Sequence, residues 1–496
     1  MAPTLRPHQV EALDKVREQF QHGKRAPLLR ASTGFGKTVC AGYMAANTVA
    51  KGGSVMFVVH RRELIDQTYK TFCDFGLSPS FILGGRTANV ANKCQIASVT
   101  TLVNRLDKYA DPSLIIVDEC HHAAARQWSD ILRHYKNAKL VGLTATPCRL
   151  DGKPLDTFFD SIVETPQTAQ LIEMGFLTPY DYYAPSTPDL KGMKHNATDY
   201  TAQSLDEFSK DARIIGDNIE QYLRVAKGKR GIVFACNVLH SQEIAKRYNE
   251  AGIPAAHIDG STKPSIRKSL IEKFRKGDIL VLCNVDLFGE GFDLPAIECV
   301  SLLRPTLSTS LYLQQVGRAL RTCPEIGKER AIIFDHVENY KVHGMPDDVR
   351  EWSLTTGLKS RREAKQTEAT IKVMRCPNCF FAHSPALCCP NCGHQYKSGD
   401  SGVKEVAGEL VLLGTSEERA AKRKQVLMVG SYEELVAISK ERGYKLGWAE
   451  REWKNKTGED LMASLDGLEK VARARGYSNG WAWVQWQRRK SYGSQR

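Results

Sequence analysis

The chain has 496 residues, with 69 Lys plus Arg against 56 Asp plus Glu, so its net charge is +13 and its pI is near 9.0. Hydrophobic residues at 42% and charged residues at 25% exclude a disordered or fibrous chain, and about three or four domains are expected at this length. No run approaches the roughly 18 apolar residues of a membrane span, and Met1-Ala2-Pro3-Thr4-Leu5-Arg6 lacks a signal-peptide core, so a cytoplasmic protein without membrane attachment is expected. Excess positive charge suits a polyanionic partner, although charge alone does not separate nucleic-acid binders from other basic proteins.

Residues 1–180 read as one α/β domain. An apolar run, Pro27-Leu28-Leu29, leads into Ala31-Ser32-Thr33-Gly34-Phe35-Gly36-Lys37-Thr38 and then into a helix of small residues from Val39 to Ala50. Gly34 and Gly36 let the backbone wrap a phosphate, Lys37 reaches the outer phosphates and Thr38 can ligate Mg²⁺. A glycine turn before a surface lysine is the plainer alternative, but Gly-Lys-Thr stands at the required strand-to-helix junction. Ser54–Val59, Gln95–Val99 and Leu114–Val117 read as buried strands of a parallel sheet. Asp118 and Glu119 follow the last of these, at the sheet edge where catalytic groups gather; one can hold Mg²⁺ and the other can activate water. Thr144-Ala145-Thr146-Pro147, after the apolar Leu140–Leu143, could by itself be only a turn before proline.

A polar stretch from Pro185 to Asp211 reads as a connector or small insertion, and residues 181–345 as a second α/β domain with strands at Gly231–Ala235, Ile279–Cys283, Cys299–Leu303 and Ala331–Phe334. In Gln314-Gln315-Val316-Gly317-Arg318-Ala319-Leu320-Arg321 two arginines three apart share a helical face, where they could be solvated, bind nucleic acid, or enter an interdomain cleft to stabilise charge on a phosphate. Residues 346–373 read as a charged helical linker and 398–430 as a flexible one. Between them, in 374–397, Cys376, Cys379, Cys389 and Cys392 form two Cys-x-x-Cys turns, a tetrahedral thiolate set for a structural Zn²⁺; Cys388, His383 and His394 do not reproduce that spacing. The other nine of the 14 cysteines are scattered and read as buried thiols.

Residues 431–496 contain a duplication. A shift of 33 positions takes Leu435 to Leu468, Arg442-Gly443-Tyr444 to Arg475-Gly476-Tyr477, Gly447-Trp448-Ala449 to Gly480-Trp481-Ala482 and Trp453 to Trp486. Five of the seven tryptophans lie here among lysines and arginines, so these rings can form the core of a small helical unit, stack on bases, or both. Trp483 stands opposite Glu450 in the first copy and is expected to be exposed.

These motifs together resemble the superfamily 2 DExH-box helicases and translocases. Leu5-Arg6-Pro7-His8-Gln9 resembles their Q motif, Lys37-Thr38 motif I, Asp118-Glu119-Cys120-His121 motif II, Thr144-Ala145-Thr146 motif III, Gly289-Glu290-Gly291-Phe292-Asp293 motif V and Gln314 to Arg321 motif VI. Within that superfamily, Asp118 to His122, Tyr312 to Arg318, Phe334-Asp335-His336 and the cysteine cluster resemble the bacterial RadD-type ATPases and their phage relatives. The resemblance implies two tandem RecA-like parallel-sheet domains, followed by a zinc ribbon and a small helical repeat. It implies ATP and Mg²⁺ at Arg6, Gln9, Gly34, Gly36, Lys37, Thr38, Asp118, Gly291 and Asp293, with Gln9 on adenine and Thr38 and Asp118 on the metal. Glu119 would position water, His121, Thr144 and Thr146 would couple nucleotide to strand, and Arg318 and Arg321, supported by Gln314 and Asp293, would complete the site. Strand contacts would come from His60, Arg61, Arg62, Thr100, Thr101, Thr144, Thr146, Ser261 and Arg267. Two departures stand out: Ala31 replaces the usual first glycine of the loop, and Asn284-Val285-Asp286 lacks the threonine usual near motif V.

The expected function is therefore an ATP-hydrolysing nucleic-acid motor acting in replication, recombination or repair, on DNA in preference to RNA. The alternatives are a duplex translocase that separates no strands, and a binding platform that uses ATP as a switch and docks a replication or repair protein through the ribbon or tail. A pure switch needs no water-activating carboxylate, which Glu119 supplies. The cytosol would be bacterial, or a host's if the chain is phage-encoded.

Overall fold

The computed structural model describes residues 3–59, 63–86, 89–122, 126–148, 154–184, 190, 192–196, 198–210, 212–287, 294–355, 357–358, 374–375, 382–383, 411–415, 424–426, 428–442, 448–477 and 480–493. One compact unit comprises Met1–Gln366 with Val403–Leu412, and a second comprises Thr367–Gly402 with Leu413–Arg496.

The first unit is built on two seven-stranded sheets. In the first lobe the strands are β1 (Pro27–Arg30), β2 (Val55–Val59), β3 (Ser80–Ile82), β4 (Cys94–Ser98), β5 (Leu114–Asp118), β6 (Lys139–Thr144) and β7 (Ser161–Glu164). Their order is β3-β4-β2-β5-β6-β1-β7 and every pair is parallel. A parallel sheet covered on both faces favours apolar side chains, and β1, β2, β4 and β5 are buried throughout, with Arg30, Gln95, Ser98 and Asp118 as their polar members. The strands expected at 54–59, 95–99 and 114–117 fall within one residue of those observed. Trp128, Ile131, Tyr135 and Phe159 cover one face.

The second lobe contains β8 (Tyr180–Ala184), β9 (Gly231–Phe234), β10 (Ala255–Ile258), β11 (Val281–Asn284), β12 (Cys299–Leu302) and β13 (Ala331–Asp335), in the order β10-β11-β9-β12-β13-β8, with Val411–Thr415 at the edge beside β8. The six named strands are parallel. Tandem parallel sheets of this kind are the RecA-like arrangement expected from the motifs.

Three connecting segments carry more structure than their polarity suggested. The connector after β8 holds a helix, Ala202–Phe208, capped by Thr201, and Asp199 there accepts hydrogen bonds from Leu307 N at 2.7 Å and Thr306 Oγ1 at 2.9 Å. The start of the segment read as a helical linker instead crosses to the first lobe. Gln167 and the Arg350 backbone exchange two hydrogen bonds, at 3.0 and 3.1 Å, and Leu155 N donates to Leu354 O at 2.7 Å. The Arg350 guanidinium shapes the start of this strap by donating to the carbonyls of His343, Met345, Pro346 and Asp348, and Trp352–Ser353 pairs antiparallel with Gly357–Leu358. The third correction lies within 398–430, where the apolar run at Val411–Thr415 is a strand rather than linker. The charged stretch Lys359–Lys372 and the four cysteines lie outside the described residues.

In the second unit the duplication is two helical hairpins, Tyr432–Glu441 with Trp448–Thr457 and Leu465–Arg475 with Trp481–Gly493. Their first helices begin alike: Ser431 accepts from Glu434 N and Ser464 from Gly467 N, equivalent caps 33 residues apart. Trp453 is buried, packs edge-on against Tyr432 and donates from Nε1 to Glu459 at 2.8 Å. Trp448, Trp481 and Trp486 are half-buried against the two small cores, and Trp483 is 58% exposed. Its counterpart Glu450 takes a bidentate bridge from Arg475 at 2.7 and 2.8 Å and a hydrogen bond from Tyr432, joining the copies. Trp453→Ala should therefore cost the tail about 3 to 5 kcal/mol, enough to unfold it, whereas Trp483→Ala should leave its melting transition in place. Circular dichroism of the two variants checks this; similar losses in both would contradict it. No helix among the described residues is long and apolar enough to cross a membrane.

Candidate active site

Strand order brings the candidate residues to one sheet edge. β6 lies between β1 and β5, and its register places Thr144 beside Arg30 and Leu143 beside Asp118. The phosphate loop, the acidic pair and the threonine pair thus leave adjacent carboxyl ends of one sheet, where parallel α/β proteins hold ligands.

Gly34 and Gly36 have φ of +85° and +97°, conformations that the loop can adopt because both lack a Cβ. Gly36 starts the helix Lys37–Ala50, so successive amides and the helix N-terminus border one concavity suited to phosphates. Lys37 Nζ lies 3.7 Å from Glu119 Oε1 and donates to Ala31 O at 3.4 Å. Thr38, in the first turn, and Asp118, buried at the end of β5, are the metal-ligand candidates, and Asp118 Oδ1 accepts from Glu119 N. This cradle fits nucleotide phosphates and a small divalent cation.

Glu119 has φ of +46°, a left-handed backbone that costs a non-glycine residue roughly 1 to 2 kcal/mol and that aims its carboxylate toward Lys37 and His121. His121 Nδ1 lies 3.4 Å from Glu119 Oε2 and 3.0 Å from Thr144 Oγ1. Thr144 donates its hydroxyl to Thr146 O and accepts from Thr146 N, so Nδ1 carries a proton between two acceptors. Thr146 Oγ1 then donates to Ser310 Oγ of the second lobe at 2.7 Å, with both residues buried. A continuous chain of close polar contacts therefore runs from Lys37 to Ser310.

The helix Thr309–Ala319 docks on the phosphate loop. A Cβ on Gly317 would lie 2.5 Å from Thr33 Cγ2, so only glycine permits this approach. Arg318 is buried, and the Arg321 stem lies 4.0 Å from where a Cβ on Gly34 would be; Leu177, bridged to Arg321, comes closer still, at 2.5 Å. Gln314 is buried, and its Nε2 meets no hydrogen-bond partner among the described residues.

The Q-motif residues sit at this loop and brace it. Gln9 Oε1 accepts from Arg6 N at 2.9 Å and Nε2 donates to Phe35 O at 2.8 Å, so both ends of the amide buttress the loop. Arg6 lies over the Phe176 ring at 4.9 Å, and His8, kept neutral chiefly by burial, packs between Phe35 and Phe176.

Of the expected strand contacts, Thr100 and Ser261 are exposed beyond β4 and β10, while Thr101 is half-buried. Arg267 Nη2 donates to the carbonyls of Asp259, Gly260 and Thr262, contacts that shape its own loop. Burial would raise the Asp259 pKa, but hydrogen bonds from Ser261 and Thr262 and the nearby His257 bring it down to about 2, so it accepts these bonds as a carboxylate at neutral pH. His60, Arg61, Arg62, Gly291 and Asp293 lie outside the described residues. Sequence reading did not single out Ser310, Leu177 or Thr33; the hydroxyl run Thr306, Ser308, Thr309, Ser310 at the start of the motif VI helix was the available signal for the first.

Residues 2–149 match the family described as type III restriction enzyme, res subunit, and residues 215–323 the family described as helicase conserved C-terminal domain. The "51.5 kDa protein" of a Lactococcus phage (isolate 7-9) is 34% identical over 391 residues, covering 78% of this chain and 82% of that protein. The "Putative ATP-dependent helicase IRC3" of Saccharomyces cerevisiae is 30% identical over 342 residues, 64% of this chain but only 50% of the yeast protein. A fragment of a type I restriction enzyme subunit from Vibrio vulnificus YJ016 shares the fold, with a TM-score of 0.55 at 21% identity over 72% of this chain and 71% of that one. With both domain families in order and a relative matched over most of its length, the chain belongs to the superfamily 2 DExH-box helicases, ATP-dependent nucleic-acid motors.

Proposed function

We propose that this chain hydrolyses ATP between its lobes and uses the cycle to move along DNA. In this reading Lys37 and the loop amides hold the phosphates, Thr38 and Asp118 hold Mg²⁺, and Glu119 orients and deprotonates the attacking water. The metal would supply charge to the phosphate oxygens. Arg318 and Arg321 approach from the second lobe as it closes. The observation that carries the reading is the polar chain from Lys37 through Glu119, His121, Thr144 and Thr146 to Ser310, by which a change at the phosphates reaches the second lobe. DNA over RNA is supported by the Gln-x-x-Gly-Arg form of motif VI and by the match to a restriction-enzyme family. ATP turnover with single strands, duplex, forks and RNA tests this, and strand displacement beside triplex displacement distinguishes unwinding from duplex translocation. Equal stimulation by RNA, or none by any nucleic acid, would refute it.

The zinc ribbon belongs to the same proposal. Met374–Arg375 and Ala382–His383 pair antiparallel on either side of the first Cys-x-x-Cys, as a knuckle requires. Elemental analysis of the full chain purified without chelator should find one zinc per molecule, released in Cys376→Ser; its absence from the parent would dismiss the site. The exposed Trp483, in a helix that continues into Arg488-Arg489-Lys490, supports a contact of the tail with a strand or a repair partner.

A further inference from the structure

Lys328 lies outside every motif above, in the short turn after the motif VI helix, yet its ammonium group sits at a structural junction. Nζ donates to Ile297 O at 2.6 Å, Ala319 O at 2.6 Å and Arg321 O at 2.5 Å. An ammonium has three hydrogens, and here each has a carbonyl. Ile297 precedes β12, Ala319 ends the motif VI helix and Arg321 follows it, so one side chain ties the end of that helix to the segment entering β12 through three carbonyls. The Arg321 carbonyl also accepts from Thr178 Oγ1 at 3.2 Å, and Thr178 N donates to Leu320 O at 2.7 Å. Arg321 is thus gripped from one side by Lys328 and from the other by Leu177-Thr178, the chain entering the second lobe, whose Leu177 abuts the phosphate loop at Gly34.

We infer that Lys328 is the positioning residue of the cleft arginine: by anchoring the Ala319 and Arg321 carbonyls to the body of the second lobe it sets the backbone from which the Arg321 side chain meets the nucleotide. The inference rests on the reading of Arg321 given above. Lys328 does not reach the phosphates in this arrangement, because all three of its donors are engaged elsewhere.

The same geometry makes the anchor sensitive to pH. Burial, which dominates, and the nearby Arg321 lower the Lys328 pKa, Cys323, Glu298 and Cys299 oppose them, and the result is about 8. Above that pH the neutral amine retains two hydrogens for three carbonyls, and one bond is lost. The anchor is complete below about pH 8 and weakens as pH rises through it.

The test uses the full chain with a saturating nucleic acid. Lys328→Met should lower kcat at pH 7 by roughly tenfold or more while changing the KM for ATP less than threefold. The parent should lose kcat on an alkaline limb with a midpoint near 8, and Lys328→Arg, which keeps its charge throughout, should recover part of the activity and lack that limb. Unchanged kcat in Lys328→Met, a proportional loss in kcat and affinity, or the same limb in Lys328→Arg would overturn the inference. If Lys328→Met does not fold, the pH profiles of the parent and Lys328→Arg decide. Arg321→Ala measured alongside separates the failures: loss of turnover there with none in Lys328→Met sinks only the anchor, whereas normal turnover in Arg321→Ala sinks the reading beneath it.

Discussion

Glu119→Gln is expected to bind ATP within about twofold of the parent and to hydrolyse it roughly 10² to 10⁴ times more slowly, the span a positioned general base contributes. Oε1 lies 3.7 Å from Lys37 Nζ and Oε2 3.4 Å from His121 Nδ1, both donors, so an amide of the same shape keeps one of these contacts through its oxygen and loses the other along with the charge. The backbone at Glu119 is left-handed, with φ of +46°, and glutamine has the same backbone preferences there as glutamate. The phosphate cradle therefore stays intact while the base is removed. Nucleotide titration and single-turnover hydrolysis measure the two quantities separately, and near-normal hydrolysis would sink the assignment of Glu119.

Arg321→Ala is expected to reduce turnover by roughly 10³ or more with ATP affinity nearly unchanged, as for an arginine that acts on developing charge rather than on bound nucleotide. Its stem faces Gly34 across the cleft and its backbone is clamped on both sides, so removal of the side chain beyond Cβ leaves the clamp in place. The contrast with Gly317 is instructive. There an added methyl would collide with Thr33 and obstruct docking of the helix itself, a defect of closure and not of charge. Loss of affinity equal to the loss of turnover in Arg321→Ala would make it a ground-state ligand.

Much of this was legible from local pattern. Largely apolar runs located the central strands because a parallel sheet buries both faces, and the Gly-Lys-Thr and Asp-Glu-Cys-His runs located the phosphate loop and acidic pair because each is a contiguous device at a strand end. The 33-residue duplication marked the tail helices, since equivalent caps and tryptophans recur in register. Short or half-exposed strands such as β3 and β10 carried too weak a pattern to be seen, and Val411–Thr415 was hidden by polar flanks. Chain order states that Lys37, Asp118 and Thr144 occur in succession, but not that β6 stands between β1 and β5 and makes them neighbours. That depends on strand pairing between distant segments, as do Thr146 meeting Ser310, Gly317 resting on Thr33 and Lys328 gathering three carbonyls. Gln9 shows the same division: its motif was readable, but the engagement of both ends of its amide by Arg6 and Phe35 is decided by how the first helix packs beside the loop. Hydrophobic period and glycine placement are local and survive in sequence; hydrogen bonds between side chains over a hundred residues apart exist only once the sheets have assembled.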